Sequence, residues 1–341
     1  MRTTSVAFLI VSALLSLPAA AAAQTPGEVF RKVTPSVVVI KARGSEVTAA
    51  GQVRFLETGS GVLISADGKV MTAAHVVALM DEISVEFLGG ETVSAKVVAS
   101  ESAADLSLLL LERVPAGARV AKMANSDTVR VGDPVYIVGA PYGLSYSLSA
   151  GLISARWAPN TVHRAMPLAE FFQTNATINT GNSGGPMFNS AGEVIGIVSH
   201  NISKSGGSEG LGFVVTMKTA QQLLLEKKSF WGGIDGQFLS DEMLDMLNVP
   251  NNMKGFLVKS VAKGSPGDEA GLQGGTKVVT VGGEQYVLGG DIILSIEGIT
   301  ADSAASMMKI RDHLATLKPG APLTATVLRK GRVIDLTGVV P

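Results

Sequence analysis

Three short segments carry side chains that together could break an acyl bond. Residues 72–77 read TAAHVV, 104–109 read ADLSLL and 180–186 read TGNSGGP. Each alone has an ordinary structural reading: a packed His, a turn Asp before a strand, a Gly-rich turn holding a Ser. In the order His, Asp, Ser they match one of the orders in which a hydrolytic triad is built. A Ser hydroxyl is a poor nucleophile until a base lies within hydrogen-bond reach. Histidine, with an ordinary pKa of about 6.5, can take that proton and return it to the leaving group. A buried carboxylate fixes the His tautomer and stabilises the imidazolium. Ser183 is therefore expected as nucleophile, His75 as base and then acid, and Asp105 as the orienting carboxylate. The turn around Ser183 should also offer backbone N–H groups to an oxyanion, and those of Gly181 and Ser183 are the candidates.

Such groups need a rigid frame. From about Val33 to Val215, short apolar runs such as SVVVIK (36–41), LSLLLLE (106–112) and VIGIV (194–198) alternate with Gly, Asn, Asp and Ser clusters. Many short strands separated by turns predict a mostly β barrel or sandwich. Residues 217–228 (MKTAQQLLLEKK) read as a helix, and the Gly-rich 229–236 (SFWGGIDG) as a boundary. Beyond it, strand-like runs surround a helical stretch at 303–317, which predicts a small α+β domain of roughly 100 residues. The expected division is a leader at 1–23, a first domain at 24–228, a linker at 229–236 and a second domain at 237–341.

Composition narrows the choices. Of 341 residues, 28 are Lys or Arg and 29 Asp or Glu, a net charge of −1 that argues against a general nucleic-acid binder. An apolar fraction of 46% excludes a disordered chain. With no Cys, disulfides, thiolate metal sites and Cys nucleophiles are excluded. The four His, at 75, 163, 200 and 313, lack metal-ligand spacing, so no metal or other cofactor is expected. Arg2, the apolar run from Val6 to Leu17 and Ala21–Ala23 lay out a secretory signal peptide, with a retained anchor as the alternative. A secreted chain without Cys fits a bacterial periplasm or exterior.

The triad segments continue into VGAPYGL (138–144), TNATINTGNSGGPMFN (174–189), GEVIGI (192–197), GLGFVV (210–215), GFLV (255–258), SPGDEAGL (265–272) and LGGDIILSIEG (288–298). In this order they make the chain resemble the HtrA/Deg serine proteases over nearly its whole expected mature length. The resemblance implies a chymotrypsin-like double β-barrel protease domain followed by a small α+β PDZ domain. It implies an ATP-independent envelope endopeptidase acting on misfolded or unfolded polypeptides, assembled as a homotrimer or a higher multiple. A PDZ-based chaperone or adaptor with little proteolysis, or a narrow regulatory protease, is the alternative. PDZ-like domains hold a peptide's C-terminus at a loop before a strand. Gly255, Phe256 and Leu257 match that loop here, with the helix at 303–317 as the opposite wall. By analogy, Thr177, Ser199 and the residues after Gly210 line the primary pocket. The chain departs from the family at Thr180, where Pro is usual, at Ser199–His200–Asn201, and in an insertion at 274–289.

Overall fold

The computed structural model describes residues 24–340 apart from 145, 205, 228, 248, 251–252 and 282. The expected leader at 1–23 lies outside the described residues. The first half is two closed antiparallel barrels of six strands each. Barrel one contains β1 (Val37–Thr48), β2 (Gly51–Leu63), β3 (Lys69–Thr72), β4 (Glu82–Glu86), β5 (Thr92–Glu101) and β6 (Leu106–Leu111). Barrel two contains β7 (Pro134–Gly139), β8 (Ser147–Trp157), β9 (Phe171–Thr174), β10 (Pro186–Phe188), β11 (Val194–Asn201) and β12 (Gly212–Thr216). This is the chymotrypsin-like arrangement.

The strands read as unbroken apolar runs because both of their faces are covered. Along β1, Val38 and Ile40 fill barrel one, while Val37 turns to the core between the barrels. Along β7, Val135 and Ile137 fill barrel two, while Tyr136 and Val138 face the same shared core. Period-two alternation thus sends successive residues into two cores. Each such side chain contributes about 1.5–3 kcal/mol, in a chain with no disulfide to restrain its unfolded state.

Three helices close the barrels. Val29 and Val33 of α1 (Pro26–Val33) enter the shared core. The four-residue α2 (Ala74–Val77) follows β3. Thr216 caps α3 (Met217–Gln221), which continues as a wider turn at Gln222–Glu226. The helix expected at 217–228 therefore ends at Glu226.

The C-terminal part is a second sheet. Its elements are β13 (Ile234–Phe238), α4 (Asp241–Met246), β14 (Phe256–Val261), α5 (Pro266–Glu269), β15 (Lys277–Val281), β16 (Glu284–Leu288), β17 (Ile292–Ile296), β18 (Ile299–Thr300), α6 (Ala304–Leu314), β19 (Pro322–Arg329) and β20 (Arg332–Val339). The strand order is β13-β14-β17-β19-β20, with β18 beside β17. The insertion at 274–289 forms the separate hairpin β15–β16. The Gly-rich stretch at 229–236 is not free chain: β13 starts within it, and the Trp231 indole N–H donates to the Ala78 carbonyl at 2.8 Å. Arg311 of α6 pairs with Glu101 of β5 at 3.4 Å, a second tie to barrel one.

The register corrects one expectation. Gly255, Phe256 and Leu257 do not form an open peptide-receiving loop. Phe256 and Leu257 pair with Phe238 and Gln237 on one side and with Ile293 and Ile292 on the other. A strand bonded on both edges has no backbone groups left for an incoming peptide. Along this order the described edges are β13 and β20, and the edge beside β14 belongs to β13.

Candidate active site

The three segments converge between the barrels. His75 sits in α2, and Asp105 ends the short turn Ser102–Ala104 that leads into β6. Asp105 has a left-handed backbone, φ 53°, which a short polar side chain tolerates. The residue is buried, 3% exposed. It accepts from His75 Nδ1 at 2.9 and 3.0 Å, from the His75 backbone N–H at 3.1 Å and from the Ser199 hydroxyl at 2.5 Å.

These contacts set the titration. Burial pushes Asp105 up, but the bonds from His75 and Ser199, with the charge of His75, outweigh it and hold the carboxyl below its ordinary value. Burial pulls His75 down, but its bond to Asp105 and the charges of Asp105 and Glu57 hold it above its ordinary value. An ionised Asp105 can only accept, so His75 Nδ1 must donate, and Nε2 is left to act as base.

Ser183 opens onto the same cleft, of about 570 Å³, with His75, Asp105 and Glu57. Its hydroxyl donates to the Ser199 carbonyl at 3.3 Å. This long bond is easily exchanged for one to His75 when substrate enters.

The turn around Ser183 is held by its carbonyls. That of Thr180 accepts from the Tyr142 N–H at 2.8 Å, that of Gly181 from the Ser60 hydroxyl at 2.7 Å, and that of Asn182 from the Gly185 N–H at 2.9 Å. In a trans peptide the N–H points opposite its carbonyl. Pinning the carbonyls of 180 and 182 therefore aims the N–H groups of Gly181 and Ser183 to the other side. The conformational freedom that Thr180 has over Pro is taken up by its bond to Tyr142. Gly181 is left-handed, φ 98°, and an added Cβ would press into the Ala140 carbonyl. Only glycine suits that position.

Ser60 is a residue that the motifs miss. Fully buried on β2, it donates to Gly181, accepts from the Ala140 N–H at 2.9 Å, and its own N–H reaches the Ser183 carbonyl at 2.8 Å. It ties barrel one to the turn of barrel two. Ser60→Ala would leave the Gly181 carbonyl and the Ala140 N–H buried without their partner, at about 1–3 kcal/mol. We expect a lower unfolding midpoint and about a tenfold lower kcat for peptide hydrolysis, since the turn loses one of the four bonds that hold its carbonyls. Unchanged kcat in a folded Ser60→Ala protein would show that the turn does not need this tie.

The pocket wall differs from expectation. Ile178 and Ser199–His200–Asn201 line it, whereas Thr177 is exposed. Ser199 does more than line the pocket, since its hydroxyl is a further donor to Asp105. His163 and His200, far apart in sequence, lie with ring centroids 4.4 Å apart. Among the described residues no three His, Cys, Asp or Glu side chains gather as metal ligands would.

A hydroxyl, an imidazole fixed by a buried carboxylate, and two aimed N–H groups can together perform acyl transfer with an oxyanion intermediate. Comparison with known proteins points the same way. Residues 59–197 match the family described as trypsin-like peptidase domain. A protein of Hahella chejuensis named "probable periplasmic serine endoprotease DegP-like" is 34% identical over 262 residues, which is 74% of this chain and 54% of the relative. A protein of the same name from Ectopseudomonas mendocina is 34% identical over 260 residues, again 74% and 54%. The chain thus spans about half the length of the curated relatives it matches. Among solved structures, the HtrA-type protease AlgW with a decapeptide superposes with a TM-score of 0.54 at 27% identity, covering 93% of this chain and 98% of that one. AlgW with a tripeptide gives 0.53 at 28%, covering 92% and 96%.

Proposed function

The chain belongs to the HtrA/Deg family of serine proteases, and from that premise we propose that it is an ATP-independent envelope endopeptidase cutting misfolded or unfolded polypeptides. Ser183 is the nucleophile, His75 the base and then acid, Asp105 the orienting carboxylate, and the N–H groups of Gly181 and Ser183 the oxyanion donors. The observation that carries this reading is the buried Asp105 carboxylate on His75 Nδ1, in one cleft with the Ser183 hydroxyl. A periplasmic site is supported by the names of the relatives and by the leader-like composition of residues 1–23. Among the described residues no helix is long and apolar enough to cross a membrane. Assembly as a homotrimer or a higher multiple belongs to the same proposal, on the family resemblance.

The C-terminal part is proposed as a PDZ domain that takes C-terminal peptides and regulates cleavage. Support comes from the free edge of β13 and from an apolar groove of about 480 Å³ between β13 and α6. Gly232, Gly233 and Ile234 form one wall, with Met307, Met308 and Leu314 of α6 opposite. A peptide could add as a strand on β13 with apolar side chains in the groove. The groove also touches Ala103 and Leu168 of the barrels, which favours a peptide-regulated protease over an adaptor without proteolysis.

Labelling by a fluorophosphonate tests both parts, because only an activated hydroxyl reacts. Labelling at Ser183 is expected, and to become faster when a peptide ending in apolar residues is added. A folded chain that never labels would leave the adaptor reading standing. Labelling at a rate that peptides never alter would end the regulatory one.

A further inference from the structure

We propose that His200 is a positioning residue of the triad, its Nδ1–H committing the single Ser199 proton to Asp105. The proposal rests on the serine-protease reading above. Ser199 Oγ lies 2.5 Å from Asp105 Oδ2 and 3.0 Å from His200 Nδ1. An ionised carboxylate only accepts, so the hydroxyl proton goes to Asp105. The hydroxyl has no second proton, and Nδ1 must therefore donate to it. The result is a one-way relay: His200 Nδ1–H to Ser199, Ser199 O–H to Asp105, and Asp105 as acceptor for His75.

The surroundings hold this tautomer. The His200 ring stacks on Phe213, with centroids 5.1 Å apart, and meets Phe171 and His163 edge-on at 5.6 and 4.4 Å. Its Nε2 is buried and has no hydrogen-bond partner among the described residues. The titratable groups that face it are His163, Asp105 and His75. Burial, then the charge of His163, push its pKa down to about 4, so the ring is neutral where a His base works. A neutral ring with its proton on Nε2 would offer Nδ1 as a competing acceptor for the Ser199 proton. A second competitor, the Met166 sulfur, lies 3.9 Å away. The Nδ1–H removes the nearer competitor and occupies a Ser199 lone pair.

Two substitutions separate this role from packing. His200→Phe keeps the stack on Phe213 and loses the donor. His200→Asn loses much of the stack but can place an amide N–H where Nδ1 stands. Without the Nδ1–H the Ser199 oxygen loses the donor that polarises it, so its O–H is a weaker donor to Asp105. Asp105 then gives more of its charge to His75, which becomes more basic. For His200→Phe we expect kcat to fall about tenfold with KM within about twofold, and the acid limb of kcat/KM to move up by about half a pH unit. His200→Asn should keep the wild-type limb and kcat within about threefold. Equal losses in the two variants, or an unmoved limb in His200→Phe, would overturn the relay. Should a variant not fold, the ¹⁵N shifts of His200 in the wild-type protein decide: protonated Nδ1 at neutral pH supports the relay, and protonated Nε2 overturns it. The protease reading is checked separately, by wild-type cleavage that disappears in Ser183→Ala.

Discussion

Ser183→Ala is expected to lower cleavage of an unfolded protein by about a million-fold while leaving the fold intact. Losing the nucleophile of such a triad removes nearly all of its advantage, because the base and carboxylate have nothing to activate. About a thousandfold acceleration over water should remain from the oxyanion donors and from binding. Stability should change little. The Ser183 hydroxyl makes one long bond, to the Ser199 carbonyl, and alanine keeps the Cβ. The Ser183 carbonyl still accepts from Ser60 at 2.8 Å, so the turn keeps its shape. Substitutions that disturb so little fall within about 0.5 kcal/mol. Activity within tenfold of wild type would sink Ser183 as nucleophile. A large loss accompanied by a collapsed unfolding transition would mean that the turn, and not the nucleophile, had been removed.

The groups at the centre of that prediction are visible in the sequence because their chemistry is local. TAAHVV, ADLSLL and TGNSGGP each combine a reactive side chain with the turn or strand that carries it. The structure gathers His75, Asp105 and Ser183 on one cleft from elements scattered along the chain. Barrel strands are legible for a similar reason, since alternate residues of runs such as SVVVIK enter separate cores. Ser60 is invisible because its importance lies in bonds to Gly181 and Ala140, 121 and 80 residues away. No local pattern marks a hydroxyl that bridges two barrels.

The peptide edge is misread for a different reason. GFLV at 255–258 looks the same whether its strand lies at the edge or in the centre of a sheet. Only pairing decides, and the pairing with β13 runs through GGIDGQF, a stretch whose glycines read as a linker. Trp231 stands in that same Gly-rich stretch, yet its indole is tied to the Ala78 carbonyl just beyond α2, the helix that carries His75. Physical contact between the C-terminal part and the segment just beyond the helix that carries His75 thus arises where local composition looks least structured.

Asp105→Asn should lower kcat by about ten thousand-fold, the size seen when such a carboxylate becomes an amide. Asn has the same shape and tolerates the left-handed backbone at φ 53° at least as well, so little strain is added. The His75 backbone N–H, bound to Oδ1 at 3.1 Å, needs an acceptor and keeps the amide oxygen on its side. The NH₂ then occupies the Oδ2 position, facing His75 Nδ1 at 3.0 Å. It can only donate, so it competes with the oxygen at Oδ1, 2.9 Å from Nδ1. Wherever it donates, Nδ1 accepts and the His75 proton moves to Nε2, while the Ser199 hydroxyl that donates to Oδ2 in the wild type must turn to accept. The nitrogen that should receive the Ser183 proton is then already protonated. The pH profile adds a second, signed test. In the wild type the bond to Asp105 and its charge hold His75 above its ordinary value against burial, and activity is lost as pH falls through that raised pKa. In Asp105→Asn burial is left with far less opposition, so the acid limb of the residual activity should move to lower pH. A loss below a hundredfold, or a limb that moves up, would remove Asp105 as the residue that sets the His75 tautomer and charge.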